Sequence, residues 1–241
     1  GALTEIGADA FFWCSSLTNV TIKAGAVNIG TRAFELCSNL VSVDVPEGIS
    51  KISQSAFYAC TKLEKVNFSA QLKQIDDYAF CTCSSLAEVV LPEGLDCLGK
   101  SAFSGCSALK QIQLPQGITE LSSEAFSGSG LERVEIPEGV TKIGASAFSG
   151  CDTLKEVVLP SGLETIDASA FARCTSLTDI TVPASVQQIG ASAFQDCNSL
   201  IAVTAMGDSV RFADSVFQDC TCLAELWFCG GAPAFSNNMF E

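Results

Sequence analysis

The stretch EAFSGSGLERVEIPEG, Glu124 to Gly139, is one version of a phrase that recurs along the chain. The version before it is SAFSGCSALKQIQLPQG, Ser101 to Gly117, and the one after it is SAFSGCDTLKEVVLPSG, Ser146 to Gly162. In both neighbours a Cys stands three residues after the Phe, and a Leu three residues after the Cys; here Ser129 takes the Cys place and one residue is missing before Leu131. Working outward, Phe recurs at 11, 34, 57, 80, 103, 126, 148, 171, 194, 217 and 240, and every interval is 23 residues except the 22 between Phe126 and Phe148. Self-similarity at a fixed period of this size marks a solenoid, because one coil cannot bury its own apolar face but stacked coils can.

Spacing within a coil assigns its parts. LVSVDVPEG, Leu40 to Gly48, alternates at Val43-Asp44-Val45, a period of two that reads as a short strand. Pro follows the strand at 46, 92, 115, 137, 160 and 183, where its missing N–H ends the ladder and turns the chain. A second apolar pair, such as Val140 and Ile143 or Val186 and Ile189, predicts a second extended segment. GASAFSGC, Gly144 to Cys151, is rich in small residues and holds either a short turn or a single helical turn. Equivalent strands stack in parallel at ~4.8 Å, so ten coils make a rod or shallow arc about 50 Å long.

The L-x-x-[VI]-x-[VIL]-P segment and the AF-x-x-C-x-x-L ladder resemble the BspA-like class of leucine-rich repeats, over essentially the whole chain. The sequence departs from ordinary leucine-rich repeats by lacking the Asn after the strand and placing Pro there. The resemblance implies a repeat solenoid with a stacked parallel β-sheet face, in a bacterial or protist surface protein used in adhesion. Residues 1–241 read as a single solenoid domain of about ten 23-residue repeats and as a piece of a longer chain. Residues 229–241, where the pattern is lost, read as an irregular C-terminal segment that serves as a cap.

Composition narrows the chemistry. The chain carries 27 acidic against 13 basic residues, a net charge of −14, with no basic stripe to displace counterions, which argues against nucleic acid and anionic membrane surfaces as partners. No run of 18 apolar residues occurs, so no membrane insertion is expected in this segment. The absence of His removes the usual general base and the commonest zinc ligand. No catalytic residues, cofactor or metal site are expected. Cys81-x-Cys83 and Cys220-x-Cys222 look like half-sites but lie six coils apart, about 29 Å at the usual strand spacing. Nine of the 13 Cys sit on the repeat ladder, an odd number whose stacked, parallel Cβ directions suit a small core filler better than disulfides; Ser129 fits that reading as a tolerated substitute. Cys97 and Cys229 fall off the ladder and read as surface thiols, and the redox state of Cys81 and Cys222 is left open alongside theirs.

Strand alternation sends two columns of side chains outward, one from Asn19 through Glu88, Gln111 and Arg133 to Glu225, the other from Thr21 through Val90, Gln113 and Glu135 to Trp227. The candidate partner-binding residues on them are Glu88, Val90, Arg133, Glu135, Glu156, Val158, Asp179 and Trp227. Val90, Val158 and Trp227 stand out because they are apolar at positions facing water, and Trp is a frequent interface anchor. Arg133 reads as paired with Glu132 and Glu135. Every coil is close to 23 residues, so no insertion builds the cleft that a carbohydrate-active enzyme on a parallel coil needs. The expected role is a non-enzymatic binding module, extracellular or at the cell surface, whose partner is a host or extracellular protein or a surface glycan. A structural spacer displaying another domain is the alternative, and neither oligomeric state nor ligand identity is expressed in the pattern.

Overall fold

A computed structural model describes residues 4–231, 233–236 and 238–240 of the 241-residue chain. The alternation at Ser42-Val43-Asp44 becomes a three-residue strand with an exposed–buried–exposed pattern, and Lys65–Asn67, Glu88–Val90, Arg133–Glu135 and Glu156–Val158 repeat it. The later strands Asp179–Val182, Ala202–Ala205 and Glu225–Phe228 are one residue longer. The second apolar pair of each coil forms a two-residue strand, as at Lys51–Ile52, Lys142–Ile143 and Gln188–Ile189. All pairings are parallel and join equivalent residues of successive coils, giving a parallel β-solenoid of about ten turns with a wider and a narrower sheet face.

The small-residue segment is a pair of tight turns; among the described residues there is no helix. Residues two before and two after each ladder Phe from Phe11 through Phe217 take positive φ, as in Ser55 (53°) and Ala59 (56°), or Arg32 (58°) and Leu36 (62°). That conformation costs a non-Gly residue roughly 1–2 kcal/mol. It lets alternate N–H groups point to different partners. Around Phe57 the N–H groups of Ser55, Phe57 and Ala59 donate to Asp77, Ala79 and Cys81 of the next coil at 3.0, 2.9 and 2.9 Å, while those of Ala56, Tyr58 and Cys60 close turns within the coil. The turn corner therefore works as a third ladder, running through side chains that show no strand propensity.

Inside this corner the Phe rings stack. From Phe11 to Phe194 neighbouring ring centroids are 5.2 to 5.9 Å apart with planes within 10° of parallel, the offset arrangement that aromatic quadrupoles favour. The Ala before each of these rings is fully buried from Ala33 through Ala193, leaving no room for a larger side chain. From Cys37 through Cys197 the Cys ladder is buried as core, with Cys14 exposed and Cys220 half-buried at its ends, and it does one thing more. Cys37, Cys60, Cys83, Cys106, Cys151, Cys174, Cys197 and Cys220 each donate S–H to the Phe carbonyl of the preceding coil at 3.0–3.3 Å. Ser129, the substitute, is equally buried and turns its hydroxyl to Cys151 Sγ at 3.3 Å instead.

All 13 cysteines are free thiols. Beyond Cys229, Ala234–Phe235 pairs with Arg211–Phe212, and Phe240 stacks on Phe217 at 6.1 Å. Residues 232, 237 and 241 of that segment lie outside the described residues.

Burial pushes the thiols of Cys37 and Cys151 up to about 11 and those of Cys60, Cys83, Cys106 and Cys174 upward as well. Exposed Cys97 is also raised, by partial burial and then by Asp76, Asp96, Asp77 and Glu120 around it. Only the thiolate attacks a disulfide reagent. In a thiol-exchange assay at pH 8 the native chain should therefore release its fast signal from the exposed Cys14, Cys222 and Cys229. Cys97 should lag, its rate climbing through a higher pH window than that of cysteine in a short peptide. The buried ladder from Cys37 to Cys174 should react only on unfolding; rapid labelling of Cys60 or Cys106 in the native chain would contradict this packing.

Candidate functional site

The wider face is built as its alternation demands. The middle residue of each interior strand is buried, and its flanks project outward in register: Thr21, Asp44, Asn67 and Val90 form one column segment, Thr181, Thr204 and Trp227 another. The face is not one sheet. It divides into a four-stranded block ending at Glu88–Val90, a pair formed by Arg133–Glu135 and Glu156–Val158, and a three-stranded block from Asp179–Val182 to Glu225–Phe228.

The division between the first two blocks falls at the shortened coil. Among the described residues, no backbone N–H or C=O of Gln111, Ile112, Gln113 or Leu114 has a hydrogen-bond partner. The N–H just after the strand crosses to the next coil from Val45 to Asn67 at 2.8 Å and from Ile136 to Val158 at 3.0 Å; among the described residues the equivalent N–H of Leu114 makes no such bond, nor do those of Phe68 and Leu159. The narrower face breaks at the same level, between Cys97–Leu98 and Glu120–Leu121, where the Ser122 hydroxyl donates to the Leu98 carbonyl at 2.6 Å.

The turn corner holds across the break. Ser101, Phe103 and Gly105 donate to Ser123, Ala125 and Ser127 at 3.0, 2.8 and 2.7 Å, although Phe103 and Phe126 stand 5.9 Å apart, wider than the 5.2 to 5.4 Å of the four pairs before them. The missing residue before Leu131 is absorbed at Gly130. Its N–H reaches the Cys106 carbonyl at 3.2 Å, and a Cβ there would sit 2.1 Å from the Ser107 carbonyl oxygen. One further bond, Glu132 N–H to Lys110 C=O at 3.0 Å, pins the start of the strand. Beyond that pin the coils part.

The parting leaves a groove of about 380 Å³ between Gln111–Gln116 and Arg133–Glu138, with Val158 at its edge. Its walls carry the side chains of Gln111, Gln113 and Gln116, none of which has a hydrogen-bond partner among the described residues, and its floor is Ile112, Leu114 and Ile136. Sequence spacing shows no insertion and so no cleft; the groove forms without one, beside the shortened coil.

Of the eight candidate residues, the structure brings Arg133, Glu135, Glu156 and Val158 together. Arg133 pairs with Glu135 at 3.8 Å and with Glu156 on the next strand at 3.5 Å, whereas Glu132 pairs with Lys155 at 3.4 Å, not with Arg133. These pairs are solvent-exposed and so contribute little to stability. Glu88, held by Lys65 at 3.2 Å, and Val90, 80 % exposed, lie across the break on the first block. Asp179, bonded by the Thr178 hydroxyl at 2.9 Å, and Trp227 lie on the third. Trp227 is 58 % exposed with its indole N–H on Glu225 at 3.0 Å, so the last coil does not cover it. Gln111 and Gln113 belong to the site although nothing in their own residue types singled them out; the signal was the 22-residue interval one coil later.

A family model described as a BspA type leucine rich repeat region matches in six copies, over residues 4–132 and 119–241. Among solved structures, a leucine rich cell surface protein from Faecalibacterium prausnitzii aligns with a TM-score of 0.57 at 25 % identity, over 94 % of this chain and 77 % of that one. The pneumococcal vaccine antigen PcpA aligns with a TM-score of 0.60 at 24 % identity, over 99 % of this chain and 67 % of that one. A leucine-rich repeat protein from Bacteroides ovatus gives a TM-score of 0.54 at 24 % identity, over 81 % and 71 % of the two chains. A search of curated protein sequences returns no match.

Replacing Ser129-Gly130 by the Cys-Ser-Ala of the preceding coil restores the 23-residue spacing and should close the break. In the native chain the amides of Ile112 and Leu114 should exchange hydrogen at least about 100-fold faster than those of Val43 and Val66, because they lack the ladder bonds that protection requires. In the restored chain they should slow toward the same rates. Equal protection of all four in the native chain would show that no break exists.

Proposed function

Because the chain belongs to the BspA-type leucine-rich-repeat family, we propose that it is a non-enzymatic binding module of a secreted or cell-surface protein, serving adhesion to host or neighbouring cells. Its contact surface is the wider sheet face, and its partner is an extracellular protein or a surface glycan met by shallow contact along several coils. The observation that carries this reading is the exposure of Val90, Val158 and Trp227 in outward columns that, apart from Ala202, are otherwise polar or charged. Water-facing apolar side chains on a rigid face offer area that a partner can dehydrate, and a half-exposed Trp offers most. The cell-surface naming of the Faecalibacterium relative supports the location. On this face Lys65 holds Glu88, Arg133 holds Glu135 and Glu156, and Lys155 holds Glu132, all in exposed pairs.

The test is binding of the purified chain to arrayed extracellular-matrix proteins, mucins and glycans, with Trp227→Ala and Val158→Asp alongside. Saturable binding, weakened at least about tenfold by one of the two changes, is the expected result. Trp227 is the more exposed, so Trp227→Ala should move stability by no more than about 0.5 kcal/mol; Val158→Asp sets a carboxylate opposite Glu135 in the ladder and should cost up to about 1 kcal/mol, so its fold is checked by thermal melting. Absence of saturable binding at micromolar concentration to every surface would overturn the reading and leave a spacer.

A further inference from the structure

Resting on the reading of this face as a binding surface, we propose that the groove between Gln111–Gln116 and Arg133–Glu138 is its specificity site, and that it takes an extended peptide segment bearing a basic side chain. Two observations choose this occupant. The first is the run of unpaired main chain. By the alternation of a parallel ladder, the N–H and C=O of Ile112 and the N–H of Leu114 face the same way as the N–H of Val45, which crosses to its neighbouring coil. Here they open into the groove. They repeat at the ~3.3 Å per residue of a strand, and an extended peptide presents complementary donors and acceptors at that same spacing. Sugar hydroxyls do not keep such a repeat. The free carboxamides of Gln111, Gln113 and Gln116 extend the same pairing to the peptide's flanks.

The second observation is charge. The groove and its rim hold the carboxylates of Glu135, Glu138 and Glu156 around the single guanidinium of Arg133. Glu138 is held toward Ser161, accepting from its N–H at 3.1 Å and its hydroxyl at 2.9 Å, and has no cationic partner among the described residues. A Lys or Arg on the peptide meets an excess of negative charge here, and an acidic peptide is repelled, within a chain whose net charge is −14.

The probes are N-acetylated, C-amidated heptapeptides of alternating Thr and Val with a central Lys, the same peptides with a central Glu, and neutral chito- and cello-oligosaccharides. Binding is read by calorimetry and by amide shifts in ¹⁵N-labelled chain. The Lys peptide should bind, moving the amides of Ile112, Leu114 and Glu135, and its affinity should fall with added salt. The Glu peptide should be weaker by at least about fivefold. Glu135→Lys, an exposed change that leaves the fold intact, should narrow or reverse that preference. The chain restored to 23-residue spacing at Ser129-Gly130 should lose the binding, while Trp227→Ala should keep it. The proposal is overturned if the Lys peptide does not bind at millimolar concentration, if the restored chain binds it equally, or if the oligosaccharides and not the peptide move these amides. In each case array binding that still depends on Trp227 would leave the wider reading of the face in place, so the two fail separately.

Discussion

Every coil must hand the same three N–H groups of its turn corner to the next coil while keeping a Phe ring in line beneath it. Around Phe57 this means bonds from Ser55, Phe57 and Ala59 at 2.9–3.0 Å and rings 5.3 Å from both neighbours. The demand fixes much else. It places residues such as Leu36 and Thr82 at positive φ, a cost that only a ladder repeated in every coil can offset. It favours Ala before the ring, fully buried from Ala33 through Ala193, with Val216 taking the place before Phe217. It also explains the Cys. A Phe carbonyl at this corner already accepts the N–H of the Cys three residues on, and the thiol of the following coil supplies a second donor in a space too small and apolar for a longer polar group.

Much of this was legible in the sequence, and the reason is periodicity. The Phe interval gave the coil, the Val43-Asp44-Val45 alternation gave inward and outward sides, and Pro46 marked the end of the strand; all three reflect burial, which the residue types record directly. Three features were hidden. Nothing in Leu36, Thr82 or Arg173 announces a left-handed residue, because the ladder imposes that conformation against their preference, so a helical turn looked equally suitable. The donor role of Cys was hidden because a packed thiol and a bonded thiol read the same in one dimension. The groove was hidden for a different reason. A deletion looked like a tolerated fault in packing, and at Ser129 it is one: the residue is buried and partnered. Its effect appears elsewhere, on strands whose own sequence, Gln111-Ile112-Gln113, keeps the alternation of every other coil.

Why the sheet yields and the corner does not follows from what each holds. At the corner, three main-chain bonds, a thiol bond and a buried ring act over a few residues. The wider face offers a three-residue strand per coil and the narrower face two. When one residue is removed, the chain closes its shorter path where the mismatch disturbs the least. Gly130 makes that possible, since only a residue without a Cβ can pass within reach of the Ser107 carbonyl, and the corner bonds from Ser101, Phe103 and Gly105 stay short.

Stability and recognition are thereby carried on different sides of the same coil. The ring and thiol side tolerates little, because each element there has a partner in both neighbouring coils. The strand side faces water in alternate positions and can lose its ladder over four residues without exposing the core: Ile112 and Leu114 stay buried beneath the unpaired main chain. The polar groove beside the shortened coil therefore opens in an otherwise shallow surface at small cost to the fold. In a solenoid whose coils are held mainly along one edge, a cleft is more readily made by subtraction than by a loop. An inserted loop has to be ordered at the expense of its own entropy, whereas the walls of this groove belong to coils already held at the turn corner.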